Sequence, residues 1–450
     1  MKFPPAPTRR AWAAFALLLG LLVALGIGRS WPLALSVFNV CLISALFSLS
    51  VNIQWGYAGL FNVGVMGFAA LGGLAVLLIS HPPVMAAWAA GGGGLLRSLA
   101  ALIVGVGVAV IWRWRCRKWT KLVPTLAIVW AGLAAAYFYL PATAAIEAVD
   151  PSKTGFLGGL GLPVLLSWVA GGILAAAAAW LVGKITLNLR ADYLAIATLG
   201  ISEIIIAILK HEDWLTRGVK NVTGLPRPVP REIDLQQSDN FAAFADWLYG
   251  SPATEAAARM ANIEASGLVV KLSYTALFMT VLLAVLLLCV LALNSPWGRM
   301  MRAIRDDETA AAALGKNVQK RRLQVFVLGS AVAGIAGAML TTLDGQFTPG
   351  TYHPLRHTFL IWVMVIVGGS GNNLGAVLGG ALVWLMWVEA EPLGVALMNT
   401  LTAWMSADNP LRLHLLASAQ HMRLFLMGVM LLLIMRFAPA GILPERVRSG

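Results

Sequence analysis

The 450-residue chain is 59% hydrophobic and only 12% charged, with a formal net charge of +13. That leaves too little polar surface to cover a globule of this length in water. A soluble enzyme or nucleic-acid-binding domain is therefore excluded, and the positive charge is read by where it falls rather than by its sum. Three scattered cysteines (Cys41, Cys116 and Cys289), with no Cys-x-x-Cys pair, argue against a disulfide framework or a zinc site.

Taken in chain order, Arg9 and Arg10 precede an apolar run at 11–28. It reads as an uncleaved first span, so residues 1–32 form an N-terminal span region. Further runs follow at about 33–50, 58–79, 95–112, 122–140, 162–183, 193–210, 266–293 and 324–342. A broken pair lies near 358–388 and a last run at 422–438. Each is of a length to cross a hydrocarbon core of roughly 30 Å as a helix. Backbone groups in lipid must bond within the protein, so the expected class is all-α, a polytopic transmembrane bundle of about 10–12 spans.

The loops orient the bundle. Residues 113–121 hold five Lys or Arg, 184–192 is short and basic, and 295–322 carries seven Lys or Arg against three acids. With alternating spans all of these fall on the N-terminal side, together with the basic tail. The loop 211–265 falls on the other side with eight acids against five bases. The positive-inside rule then puts both termini in the cytoplasm.

Several residues stand out. Asn52, Gln54, Tyr57 and Asn62 cluster in a stretch broken by Gly56, Gly59, Gly64 and Gly67. An interrupted helix can expose polar backbone to a passing solute, and it can equally be a packing site with its amides bonded across helices. Glu203 lies inside a span, where a carboxylate is costly; it either pairs with a base or touches a solute ammonium. The "GGSGNNLG" stretch (368–375), with Ser370 and Asn372, interrupts apolar sequence and must be packed in protein or line an aqueous path. Small residues recur at spacings of four (Gly329, Ala333, Gly337; Ser330, Gly334; Gly375, Gly379), as close helix packing requires. His353 and His357 have a ligand-like spacing without further ligands beside them, which reads as an incidental outer loop.

The segment "GRMMRAIRDDETAAAALGKNVQKRR" (298–322) is charged and alanine-rich between two apolar runs. Asp306, Asp307 and Glu308 suit a helix start and Gly315 a helix stop, giving two to three turns on the cytoplasmic side. It is either an interfacial loop or a docking helix for a soluble motor.

At this point a resemblance appears. The blocks at 52–73, "LRADYLAIATLGISEII" (189–205), "LTRGVKNVTGLPRP" (215–228), 298–337, "VGGSGNNLGAVLGGALV" (367–383) and "RFAPAGILP" (436–444) occur in one order. They are similar to the M-type permease subunits of ABC importers for branched-chain amino acids. The resemblance covers most of 33–445, which would be the permease domain, with 446–450 as a cytoplasmic tail. It implies the ABC importer permease fold and makes 295–322 a coupling segment. Arg305, Asp306, Asp307, Glu308, Ala311, Ala312, Leu314 and Gly315 would then be its ATPase-coupling residues. It favours a translocation role for Asn52, Gln54, Tyr57, Asn62, Glu203, Ser370 and Asn372. The implied partners are a second homologous permease, two cytoplasmic ATPase subunits and a periplasmic binding protein, in a bacterial inner membrane and without nucleic acid. ATP and Mg would sit on the ATPase subunits, leaving no cofactor, metal or catalytic residue in this chain. Consistently, Gly183-Lys184 and Gly315-Lys316 lack the rest of a phosphate-binding P-loop. Two departures are noted: an added hairpin within 81–158, and Arg217 where the family often has glycine. The other readings are an ion-coupled secondary carrier centred on Glu203 and, remotely, an intramembrane serine protease built on Ser370 with His414 or His421.

Overall fold

The computed structural model describes residues 9–115, 122–151, 154–250, 254–406 and 408–445. The N-terminal residues 1–8, the basic run 116–121 and the tail 446–450 lie outside the described residues. The first helices are α1 (Arg9–Gly28), α2 (Trp31–Val51) and α3 (Val65–Ser80), followed by a short α4 (Met85–Ala87) and the pair α5 (Gly93–Arg115) and α6 (Leu122–Glu147). Next come α7 (Val164–Thr186), α8 (Ala191–His211) and three short helices: α9 (Asp213–Thr216), α10 (Glu232–Gln236) and α11 (Asp239–Tyr249). The long α12 (Glu255–Asn294) leads into α13 (Pro296–Asp306), α14 (Glu308–Ala313) and α15 (Val318–Asp344). The chain then forms α16 (Pro354–Gly368), α17 (Asn373–Leu401), α18 (Pro410–Ser418) and α19 (Met422–Phe437).

Among the described residues, nine helices are long and apolar enough to cross a membrane, or ten with the bent α18–α19 pair counted as one span. Two shorter apolar helices, α3 and α16, bring the number to twelve. The departure from helix is a ladder of two-residue strands, β1 (Val222–Thr223) and β2 (Gln346–Phe347), antiparallel with Val222 opposite Phe347. It staples the loop after α9 to the end of α15.

Helix α15 is the centre of the bundle, wrapped by α2, α3 and α7. Its small residues split between neighbours. A side chain at Gly334 would run into Gly171 and Ala175 of α7, and one at Gly337 into the Ala69 carbonyl of α3. Lipid gives apolar helices no hydrophobic reason to associate, so this close backbone approach supplies the packing. Side-chain caps close the helix ends. Ser30 Oγ accepts from Leu33 N at 3.4 Å, and Asn317 Oδ1 accepts from Lys320 N at 3.0 Å.

The two ends of the bundle differ. At the basic end, Gln319 Nε2 donates to Asn188 Oδ1 at 2.7 Å and Arg305 meets Glu445, so 184–192, 295–322 and 438–445 share one surface. At the opposite end Leu225 N donates to Gly345 O at 3.1 Å and Leu157 N to Trp214 O at 3.0 Å. The pair α5–α6 joins the body at this opposite end. Pro83 bridges Gly158, pinching the entry and exit of the pair together, and Val84 N donates to Leu157 O at 3.0 Å. Trp214 Nε1 reaches both Tyr139 OH (2.8 Å) and Glu212 Oε2 (2.6 Å), and Tyr139 OH donates to the same carboxylate. Below this root α5 and α6 pack on each other, with Ser98 Oγ donating to Ala135 O at 3.0 Å, and present Ile103, Val106, Val110, Val129 and Leu133 outward.

Arg217 also has a structural account. Its φ of 55° is left-handed, a conformation that costs a side-chain-bearing residue and suits glycine. Arg217 Nη1 donates to Asn221 O at 3.2 Å, closing the turn locally.

Candidate functional site

The candidate site is the break between α2 and α3. Helix α2 loosens into a π-helical turn over Asn52–Gly56, then unwinds across residues 59–64. Glycine allows this path at two points. Gly59 has φ 66°, and a side chain at Gly64 would collide with the Thr198 carbonyl of α8. An unwound segment leaves donors and acceptors that must be satisfied in an apolar medium. Gly59 N donates to Trp55 O (2.8 Å), Leu60 N to Gln54 O (3.1 Å), Val63 N to Thr198 Oγ1 (3.1 Å) and Gly64 N to Asn62 Oδ1 (2.8 Å). The Asn62 carbonyl accepts from Trp362 Nε1 at 3.2 Å, and that of Gly56 accepts from Arg305 Nη1.

The side chains form a second layer. Asn52 Nδ2 donates to Asn373 Oδ1 at 3.0 Å, Tyr57 OH donates to the same oxygen, and Gly371 N donates to Asn52 Oδ1 at 2.8 Å. Gln54 Nε2 donates to Phe326 O and Ser330 Oγ, both at 3.1 Å, while its oxygen accepts from Asn62 Nδ2 at 2.8 Å. Asn52, Gln54, Tyr57 and Asn62 are thus brought together, buried, and joined to α15, α16 and α17. Such a network fixes one geometry because each unmade bond would strand a polar group away from water. Beside it Trp362 stacks at a tilt on Trp55 and on Phe61, with ring centroids 4.6 and 4.4 Å away, and Phe61 is exposed at the edge.

At the basic end, the helix expected between the acidic residues 306–308 and Gly315 is α14, and a separate helix, α13, precedes it. Asp306 closes α13, and Asp307 caps α14, its Oδ1 accepting from Thr309 N and Ala310 N, both at 2.9 Å. The extended Asp307 backbone lets the carboxylate fold back on the new helix, which divides the segment there. The hydrogen bonds from the Thr309 hydroxyl and the Ala310 amide hold the Asp307 carboxyl below its ordinary range. Arg322 grips Glu308 with one nitrogen on both oxygens at 3.0 and 2.9 Å, and Gly315 ends the turn with φ 75°. Ala312 and Leu314 face solvent, whereas Ala311 is buried. Arg305 was grouped with the residues that meet a partner; its side chain instead turns inward, because Gly56 O and Glu445 draw it there.

The family described as the branched-chain amino acid transport system / permease component matches residues 130–435. The chain belongs to this permease family. Among relatives, the permease is 31% identical over 219 residues to the Escherichia coli K12 high-affinity branched-chain amino acid transport system permease protein LivM, covering 47% of each chain. The aligned part thus spans about half the length of that relative. It is 26% identical over 405 residues to a probable branched-chain amino acid transport permease protein LivM of Methanocaldococcus jannaschii, covering 89% of this chain and 90% of that one. It is 31% identical over 118 residues to the E. coli permease protein LivH, covering 26% of this chain and 36% of that one. No solved structure matches the permease.

The other expected site residues of the permease lie apart from the break. Glu203, expected inside a span to pair with a base or touch a solute, sits on the exposed face of α8 with Ile196, Gly200 and Ile204. The opposite face of α8 carries Thr198 and Ser202, and these touch Val63 and Gly67. Asn372 is a helix cap, its Oδ1 accepting from Leu374 N at 3.1 Å and its Nδ2 donating to Leu443 O at 3.2 Å. Ser370 is half-buried in the same loop. His421 lies beside Met422, which packs on Gly394, three-quarters of the way along α17 from that loop, so it does not reach Ser370. The rings of His353 and His357 stack, and among the described residues no group of three His, Cys, Asp or Glu is placed to hold a metal ion.

The sequence reading missed Asn373, Thr198, Ser330, Trp362 and Glu445. A signal existed for Asn373: two adjacent asparagines at a helix start cannot both cap, so one is free to reach inward.

Proposed function

We propose that this chain is one membrane-spanning half of an ATP-driven importer for branched-chain amino acids. It pairs with a second, homologous permease, is driven by two ATPase subunits, and receives solute from a periplasmic binding protein. The membrane in this reading is a bacterial inner membrane, and the positive-inside rule favours the basic end as its cytoplasmic side, with 211–265 on the outside. Likeness to both LivM and LivH, whose names state branched-chain amino acid transport, supports the solute class and the second permease.

One observation carries this reading. At the basic end α14 stands out as a capped, ion-paired turn that offers Ala310, Ala312, Ala313 and Leu314 as a low apolar ridge. Six residues do not hold a helix in water alone, so the fixed shape is built for a groove on a partner. ATP-driven closure of the ATPase pair pushes α13 and α14, and the spans reorient to open the path at one end or the other. Asn52, Gln54, Tyr57 and Asn62 shape the wall of that path by locking the break. Ser370 and Asn372 lie at its inner mouth. Glu203 fronts the second permease, since a carboxylate at the middle of a span is costly against lipid and cheaper along an aqueous seam. ATP and Mg stay on the partner subunits.

The test is a gentle-detergent pull-down of the native chain and of a variant with Ala310, Ala312, Ala313 and Leu314 changed to Asp. Ala311 is left alone because it is buried. ATPase subunits and ATP hydrolysis should accompany the native chain and be lost from the variant, with both chains eluting as the same folded species. A native chain that never brings down an ATP-hydrolysing partner would sink the reading.

A further inference from the structure

We propose that Arg305 and Glu445 form the joint through which the coupling segment moves the broken helix, an inference that rests on the importer reading. Arg305 lies in the last turn of α13, directly before the α14 cap. Its Nη1 donates to Glu445 Oε2 at 2.8 Å and to the Gly56 carbonyl, and its Nε donates to Asp306 Oδ1 at 3.3 Å. Burial pulls the guanidinium pKa down, but the bonds and charges of Glu445 and Asp306 outweigh it and hold the group above the ordinary arginine value. Both side chains of the Arg305–Glu445 pair are sheltered, with 22% and 23% of their surface exposed, so screening is weaker than at an open surface pair.

Each partner of Arg305 is itself anchored. Gly56 closes the π-helical turn, and the chain unwinds from Gly59, so Leu60 N, which in a continuing α-helix would serve the Gly56 carbonyl, bonds six residues back to Gln54 O. Arg305 therefore stands in for a missing backbone donor at the break. Glu445 belongs to a strap running beneath the loop between α16 and α17. Ile442 N donates to Val367 O (2.9 Å), Leu443 N to Gly368 O (3.0 Å), and Asn372 Nδ2 to Leu443 O and Pro444 O (3.2 and 3.3 Å). The carboxylate reaches Arg305 past Gly371, where a side chain would come within 2.6 Å of Glu445 Oε2. Gly371 N in turn donates to Asn52 Oδ1 at 2.8 Å, which closes the circuit on the break. The coupling segment, the break in α2 and the α16–α17 loop thus meet at one ion pair. Displacing α13 pulls on both breaks together. Arg305 and Glu445 are positioning residues: they touch neither solute nor nucleotide.

The experiment uses the complete complex in proteoliposomes, with solute uptake and ATP hydrolysis measured on the same sample. Arg305→Ala should leave ATPase subunits bound and hydrolysis running, while solute moved per ATP falls about tenfold, the worth of one charged hydrogen bond. Arg305→Lys should restore part of that ratio, because an ammonium can reach one anchor or the other but lacks the planar fork. Glu445→Gln keeps the shape of the strap and should lower the ratio less than Arg305→Ala, so the joint is testable even if the alanine variant fails to fold. An unchanged ratio in both Arg305→Ala and Glu445→Gln overturns the joint. Loss of bound ATPase from Arg305→Ala also overturns it, by assigning Arg305 to the docking surface. A native chain without an ATP-hydrolysing partner defeats the importer reading first, and that control separates the two failures.

Discussion

The break between α2 and α3 and the hairpin α5–α6 meet the same difficulty, a polar backbone in an apolar solvent, in opposite ways. The hairpin helices α5 and α6 run on without an unwound stretch, and among the described residues the hydrogen bonds that tie the hairpin to the body gather at its root around Pro83, Gly158, Tyr139 and Trp214. The break gives up that continuity. Its amides and carbonyls are answered by side chains from α8, α13 and α16, and its polar side chains lean on α15 and α17. The lesson is that a break must be held by many elements and can therefore be moved by any of them, whereas a hairpin held at its root alone transmits little.

The largest expected effect pits two glycines against each other. A side chain at Gly72 of α3 would strike the Gly334 carbonyl, and backbone cannot step aside in a packed core. Gly72→Val should abolish the folded species in size-exclusion chromatography. Gly105→Val strikes Ala131 and comes close to the Ala127 carbonyl, both within the hairpin, and the rest of the molecule should elute as before. Equal damage from both would erase the distinction. A smaller contrast compares polar side chains. Asn373→Ala strands two donors, Asn52 Nδ2 and Tyr57 OH, at about 1–3 kcal/mol each. Its thermal midpoint in detergent should fall by several degrees more than that of Ser98→Ala, which removes one bond inside the hairpin. The smallest effect is expected from the largest change. Replacing 86–148 with a short flexible linker should shift the melting of the remaining bundle little, because the Pro83–Gly158 bridge already holds the cut ends together. Collapse of the body on excision would make the hairpin a working part of the bundle.

Much of the fold was legible because lipid imposes simple demands. Apolar runs of sufficient length gave the spans, and glycines and asparagines marked the break at 52–64 and the loop at 368–372. The faces of the helices were not legible. Along α8 the buried positions Leu194, Thr198, Ser202, Ile206 and Leu209 follow helical spacing, yet between them the exposed positions Ile196, Gly200, Ile204, Ala207 and Ile208 are just as apolar, with Glu203 the exception. Core and lipid make the same request of a side chain, so the pattern that separates inside from outside in a water-soluble protein is blank here. Arg305 was hidden for another reason. Beside two aspartates it reads as part of a charged surface loop, and what turns it inward are Gly56 and Glu445, remote in sequence and each exposed to view only once the chain has folded.

The 40 residues of α12 give it a length of about 60 Å, twice the roughly 30 Å of hydrocarbon it crosses. Its N-terminal part extends beyond the apolar run at 266–293 and carries α10 and α11 against its flank, with Gln236 Nε2 donating to Ser266 Oγ at 2.8 Å and Asn262 Nδ2 to Gln236 O at 3.2 Å. The helix is thus a mast with rigging at its head. With an overhang of about 16 Å over residues 255–265, a lean of about 10° within the membrane would carry the masthead sideways by about 3 Å. A rearrangement too slight to notice among packed spans thus becomes, at the tip, a displacement that a docked protein would feel.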